Sequence, residues 1–85
     1  MKKLIIYHMP WCAPCRRYIR EVLPGIEEAC PGQTETREAG DYYSDCRRLG
    51  IQRVPAAVIT DGETERLLDS MPGLEEAQAL LHTEG

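Results

Sequence analysis

The sequence predicts a compact α/β fold, a four-stranded mixed sheet with helices on both faces, in the order β-α-β-α-β-β-α. Three observations carry that prediction. Two short runs, Leu4 to Tyr7 and Ala56 to Ile59, are continuously apolar, as strands buried on both faces are. Between them Tyr18, Ile19, Val22, Leu23, Ile26, Ala29 and Cys30 recur with helical period. Asp61-Gly62, just after the second run, is a hairpin signal, so the chain should turn straight back.

Each element follows in order. The first strand, Leu4 to Tyr7, is broken by Met9-Pro10-Trp11. A helix beginning near Cys12 carries the apolar stripe. Pro24 falls inside it and removes the hydrogen bond to the Arg20 carbonyl, which predicts a kink or an interruption there. Pro31-Gly32 ends the helix. Thr34-Glu35-Thr36-Arg37-Glu38 alternates weakly and has little apolar surface, which suits an edge strand. Asp41 to Leu49 reads as a short helix closed by Gly50. After the Ala56 to Ile59 strand and its turn, Glu65 to Asp69 returns as a fourth strand. Gly73 precedes a last helix with Leu74, Ala77, Leu80 and Leu81 as its apolar positions. The opening strand–helix–strand unit should be parallel with a right-handed crossover. Helices on both faces are the natural cover for such a sheet.

With 85 residues, the chain supports a single domain over 1–85, near the lower end of what one hydrophobic core can hold. Its apolar fraction of 42% and charged fraction of 28% are ordinary for a soluble globular protein. No run approaches the ~20 apolar residues that a membrane span needs. Met1-Lys2-Lys3 precedes only four apolar residues, and no small-residue cleavage site follows, so a cytoplasmic protein is expected. Residues 1–20 hold Lys2, Lys3, Arg16, Arg17 and Arg20 without an acid, whereas the rest hold five basic and fourteen acidic side chains. A cationic cysteine-bearing end on an acidic body lacks the broad basic surface of a nucleic-acid binder. Neither nucleic acid nor membrane is an expected partner.

Cys12 and Cys15 stand three positions apart in Pro10-Trp11-Cys12-Ala13-Pro14-Cys15, and a staple, a metal site and a redox centre are the possible reasons. A disulfide stabilises by restricting the unfolded chain, more so for longer loops. Joining these two closes almost no loop. A structural metal site needs four ligands, commonly as two close pairs. Cys30 and Cys46 are single residues, and although His8 could join the pair, no metal is expected. In a reducing compartment paired cysteines lean toward catalysis or metal binding, and the surroundings of this pair fit redox chemistry. A helix start near Cys12 surrounds its sulfur with free N–H groups and the positive end of the macrodipole, which favours thiolate. Pro14 costs least in a first turn, and its missing N–H leaves the amides of Ala13 and Cys15 as donors toward that sulfur. Arg16 and Arg17 add positive potential, screened by salt. Cys15 faces the same side under better cover, so Cys12 is the expected nucleophile and Cys15 the resolving thiol. No bound cofactor is expected; the pair itself cycles as a disulfide and draws electrons from outside. Trp11 beside the nucleophile is either an exposed contact surface or buried. Cys30 and Cys46 are expected to point inward, with regulatory oxidation as the alternative. Tyr42 and Tyr43 are expected to pack on the sheet, and His8 to be a satisfied polar residue at a strand end.

Trp11-Cys12-Ala13-Pro14-Cys15 resembles the thioredoxin active-site motif, with alanine where glycine is usual. The longer stretch from Ile6 to Cys15 is equally similar to glutaredoxins, where a tyrosine and a proline commonly precede the pair. Gly50-Ile51-Gln52-Arg53-Val54-Pro55-Ala56 resembles the segment carrying that superfamily's cis-proline. The resemblance implies a thioredoxin-like fold, with a cis Val54–Pro55 bond beside the disulfide. It also implies a substrate site formed by Trp11, Ala13, Pro14, Val54 and Pro55, in which the Val54 backbone pairs with an extended substrate segment. A trans proline that merely starts a buried strand is the plainer alternative. The implied partners are disulfide-containing proteins, with a flavoprotein reductase or glutathione as reductant, and the implied state is a monomer.

The pattern departs from both groups. Thioredoxins usually carry a buried acid six residues ahead of the first cysteine, where this sequence has Ile6. Glutaredoxins often use a double glycine where Met71-Pro72-Gly73-Leu74 has one. Asp69-Ser70 is either an acid–serine pair for glutathione or a strand end. Arg53 either attracts a glutathione carboxylate or is simply solvated. Actinobacterial mycothiol-dependent redoxins are similar as well. The expected function is reduction of protein disulfides. Glutaredoxin activity is the first alternative, and a non-catalytic binding or metal-binding module the second.

Overall fold

The computed structural model describes residues 1–82. Its strands are β1 (Lys3–His8), β2 (Thr34–Glu38), β3 (Ala56–Thr60) and β4 (Glu65–Leu67). Its helices are α1 (Ala13–Glu21), α2 (Leu23–Ala29), α3 (Tyr43–Leu49) and α4 (Leu74–His82), with a 3₁₀ turn at Ala39–Tyr42. The sheet has the order β2-β1-β3-β4. β1 is parallel to β2 and antiparallel to β3, and β4 returns antiparallel to β3. This is the expected mixed sheet.

Alternation along the central strands decides what covers each face. Leu4 lies opposite Ile59 and Ile6 opposite Ala57, and these four join Tyr18, Leu23, Ile26, Ala77 and Leu81 in a core beneath α1, α2 and α4. Ile5 lies opposite Val58 and Tyr7 opposite Ala56, and these pack with Cys46 beneath α3. All four residues from Leu4 to Tyr7 are buried. Each such aliphatic side chain contributes about 1.5–3 kcal/mol by leaving water.

The long apolar stripe forms two helices rather than one. Pro24 sits in the first turn of α2, where its missing N–H leaves no intrahelical bond unmade. The break therefore falls at Val22, two residues ahead of the proline. Val22 N–H still donates to the Tyr18 carbonyl at 2.9 Å, so α1 is closed at the break, and the two helices share one core.

The edge strand β2 compensates for its polar sequence with Arg37. The Arg37 guanidinium lies 4.7 Å from the centre of the Tyr42 ring, donates to the Tyr7 hydroxyl at 3.1 Å and pairs with Glu35 at 2.6 Å. Its stem and its charge are both used.

Three boundaries differ from the sequence expectation. The segment at 39–42 is a 3₁₀ turn, so α3 begins at Tyr43 rather than Asp41. The hairpin is a four-residue loop, 61–64, rather than a tight Asp-Gly turn. Asp61 Oδ1 accepts the N–H groups of Glu63 and Thr64 at 2.9 and 2.8 Å, which holds its carboxyl down to about 2. β4 stops at Leu67 rather than Asp69, because Asp69 would face Ala56, the first residue of β3, where the ladder runs out. Beyond it Tyr18 Oη donates to the carbonyl of buried Pro72 at 2.6 Å, tying α1 to the segment that leads into α4.

Candidate functional site

Sheet topology brings the two sequence motifs together. The cysteine loop leaves the C-terminal end of β1, and Val54-Pro55 enters the N-terminal end of β3. These ends are neighbours because the strands are antiparallel, with Tyr7 opposite Ala56. β2 is parallel to β1, so the 39–42 turn emerges at the same end.

Cys12 is the N-cap residue of α1, with extended backbone angles (φ −90°, ψ 109°). Its N–H donates to the Met9 carbonyl at 3.1 Å, and its own carbonyl accepts from the Arg16 N–H at 3.1 Å. Its Sγ takes the place of a capping oxygen and accepts the Cys15 N–H at 3.3 Å. Of the two amides expected to face this sulfur, the donor is that of Cys15 rather than Ala13. Pro14 occupies the first turn, as expected. The Cys12 thiol also points at the Val54 carbonyl, 3.8 Å away and 42 positions along the chain.

The two thiols are free, and they differ in cover. Cys12 keeps 6% of its surface exposed and Cys15 none. Burial pushes the Cys15 thiol up to about 11, and its hydrogen bond with the Cys12 side chain pushes the same way. No carboxylate or other charged side chain is buried among the described residues, and Ile6 is fully enclosed in the helical core. No internal acid is therefore at hand to take the Cys15 proton. Among the described residues no group of three His, Cys, Asp or Glu side chains could hold a metal ion.

The Val54–Pro55 bond is cis. Trp11 is 72% exposed, on the contact-surface side of the two expectations for it. Tyr43, expected to pack on the sheet, is instead 66% exposed, because the 3₁₀ turn gives Tyr42 alone to the sheet. Cys46 and Cys30 are buried as expected, but Cys30 Sγ also lies 3.3 Å from Nε2 of His82, a contact no local pattern announces.

The cationic character read from residues 1–20 gathers here only in part. Lys3 begins β1, and His8 at its far end is about 17 Å away at ~3.3 Å per residue. Arg20 pairs with Glu21, while Arg16 donates to the Pro10 carbonyl at 2.7 Å and so braces the loop before Trp11. Arg47 and Arg53, missed as a pair by sequence reasoning, supply further positive charge. They line a groove of about 580 Å³ with Met9, Trp11, Tyr43 and Val54. A second groove of about 290 Å³, on the other side of the Ile51–Arg53 segment, is lined by Arg53, Pro55, Asp69 and Ser70 among others.

No family model matches the sequence, and no curated protein does. Solved structures do match the fold. The first thioredoxin domain of mouse protein disulfide-isomerase A4 superposes with a TM-score of 0.74 at 17% identity, covering 94% of this chain and 60% of that one. Mitochondrial thioredoxin 3 from Saccharomyces cerevisiae, in its oxidised form, gives a TM-score of 0.66 at 19% identity over 93% of this chain and 72% of that one. Trichomonas vaginalis thioredoxin gives 0.62 at 25% identity over 87% and 68%. The chain thus has a thioredoxin-like fold, and it carries a close cysteine pair at the start of its first helix.

Proposed function

We propose that the chain is a dithiol–disulfide oxidoreductase that reduces disulfides in other proteins, with Cys12 as nucleophile and Cys15 as resolving thiol. One observation carries the reading: Cys12 Sγ caps α1 and accepts the Cys15 amide, while the Cys15 thiol lies sealed beneath it. Ionised Cys12 attacks one sulfur of the substrate disulfide, and the other substrate sulfur leaves as a thiolate and takes up a proton. A mixed disulfide results. Cys15 loses its proton to water and attacks Cys12 Sγ, expelling the remaining substrate sulfur. Two electrons have passed to the substrate, and a Cys12–Cys15 disulfide remains. An external thiol or a flavoprotein reductase returns the pair to the dithiol. Trp11, Ala13 and Pro14 form one wall around the nucleophile. Val54 and Pro55 form the other and offer backbone for pairing with an extended substrate.

Reduction of a disulfide-bonded protein substrate tests this. Cys12→Ser should abolish turnover, and Cys15→Ser should accumulate the mixed disulfide, visible by mass spectrometry. Full turnover in both variants would falsify the assignment.

The second groove favours a further reading, in which glutathione is the reductant. Arg53, Asp69 and Ser70 place a cation, an acid and a hydroxyl beside Pro55, groups suited to the termini of a small peptide. Supplying the oxidised protein with glutathione and its reductase, or with a flavoprotein thioredoxin reductase and NADPH, separates the two by which restores free thiols.

A further inference from the structure

We infer that the groove beside Cys12 selects its substrates by charge: it takes extended segments that combine apolar and acidic side chains next to their cystine. The inference rests on the thiol-exchange reading and adds the substrate class. Three observations support it. Trp11 and Tyr43 are two of the four large apolar side chains left exposed, and both line this one groove. Arg47 and Arg53 line it too, and among the described residues neither has a carboxylate partner, although Arg20 and Arg37 each have one and Arg48 has two. No acid lines it, whereas the groove at the far end of the sheet mixes Lys2 and Arg66 with Asp61 and Glu65.

On a chain of net charge −4, this makes the groove a cationic apolar cleft in an acidic surface. Arg47 is held over the Tyr43 ring, 5.9 Å from its centre, so its charge stays at the rim of the aromatic wall. An acidic side chain leaving water for this rim meets guanidinium charge of opposite sign. A basic one meets like charge.

The test compares two peptides with the same cystine and the same apolar neighbours, one bearing glutamates and the other lysines. A small uncharged dialkyl disulfide serves as baseline. The wild-type chain should reduce the glutamate peptide with a kcat/KM about three- to tenfold higher at low salt, as two exposed ion pairs allow. Added salt should narrow the gap. Arg47→Glu with Arg53→Glu should reverse the order, which separates recognition from the peptides' intrinsic reactivity. Equal rates for both peptides, with the small disulfide still reduced, overturn the charge selection alone. So does a dimer that occludes Trp11, since a second copy would then be the occupant. Failure to reduce any of the three overturns the exchange reading itself.

Discussion

At the scale of single residues, Cys15 couples chemistry to stability. In an unfolded chain its thiol ionises near the ordinary 9, whereas burial keeps it neutral in the fold up to about 11. Below pH 9 both states hold the proton. Between about 9 and 11 the unfolded chain releases it first, so the reduced fold loses stability as pH rises through that window. Tyr18, pushed up to about 12 by burial, extends the loss at still higher pH. Urea midpoints measured from pH 8 to 11 should fall for the wild type and fall less for Cys15→Ser. In the proposed mechanism the enclosed Cys15 must lose a proton before it attacks, so resolution of the mixed disulfide should accelerate as pH rises, which rapid-quench kinetics would read. Much of this site was legible beforehand, because Cys12, Pro14 and Cys15 act through their spacing on one helical turn. Tyr43, Arg47 and Arg53 were not legible as a group. They meet only because three strand ends and α3 converge, and nothing local marks that meeting.

At the scale of elements, α3 and the segment after it set the far wall of the site. Gly50 closes α3 in the left-handed region, φ +79°, with its N–H on the Arg47 carbonyl. The next four residues lead to Pro55. Gly50→Ala meets no steric neighbour, so its cost is the backbone's alone, about 1–2 kcal/mol. A fall of that size in the unfolding free energy from urea titration is the expected outcome, and no change would contradict the backbone account. Helix and strand order followed from period and punctuation. The ends did not, for reasons of competition. Pro24 proved better placed inside a new helix than at the end of an old one. Asp61 bonds its own turn more widely than a tight hairpin permits.

For the molecule as a whole, a thin sheet between two small cores carries the stability. Ile6 is wholly enclosed on the helical side, where Ile6→Ala should cost about 2–5 kcal/mol through lost burial and the cavity it leaves. Its urea midpoint should drop with the slope of the transition unchanged. Charge was the least legible property at this scale. Lys2, Lys3 and Cys12 are close in sequence, but β1 holds them at opposite ends of the sheet.

The pairing of β1 with β3 has one more consequence. Sliding either strand by a single step would turn its own core side chain, Ile5 or Val58, toward the wrong cover, and it would also carry Pro55 about 3.4 Å out of line with Cys12. Greasy side chains far from the cysteine pair therefore act as the ruler that sets Pro55 beside it. A misaligned copy of this protein would lose its core and its paired motifs together.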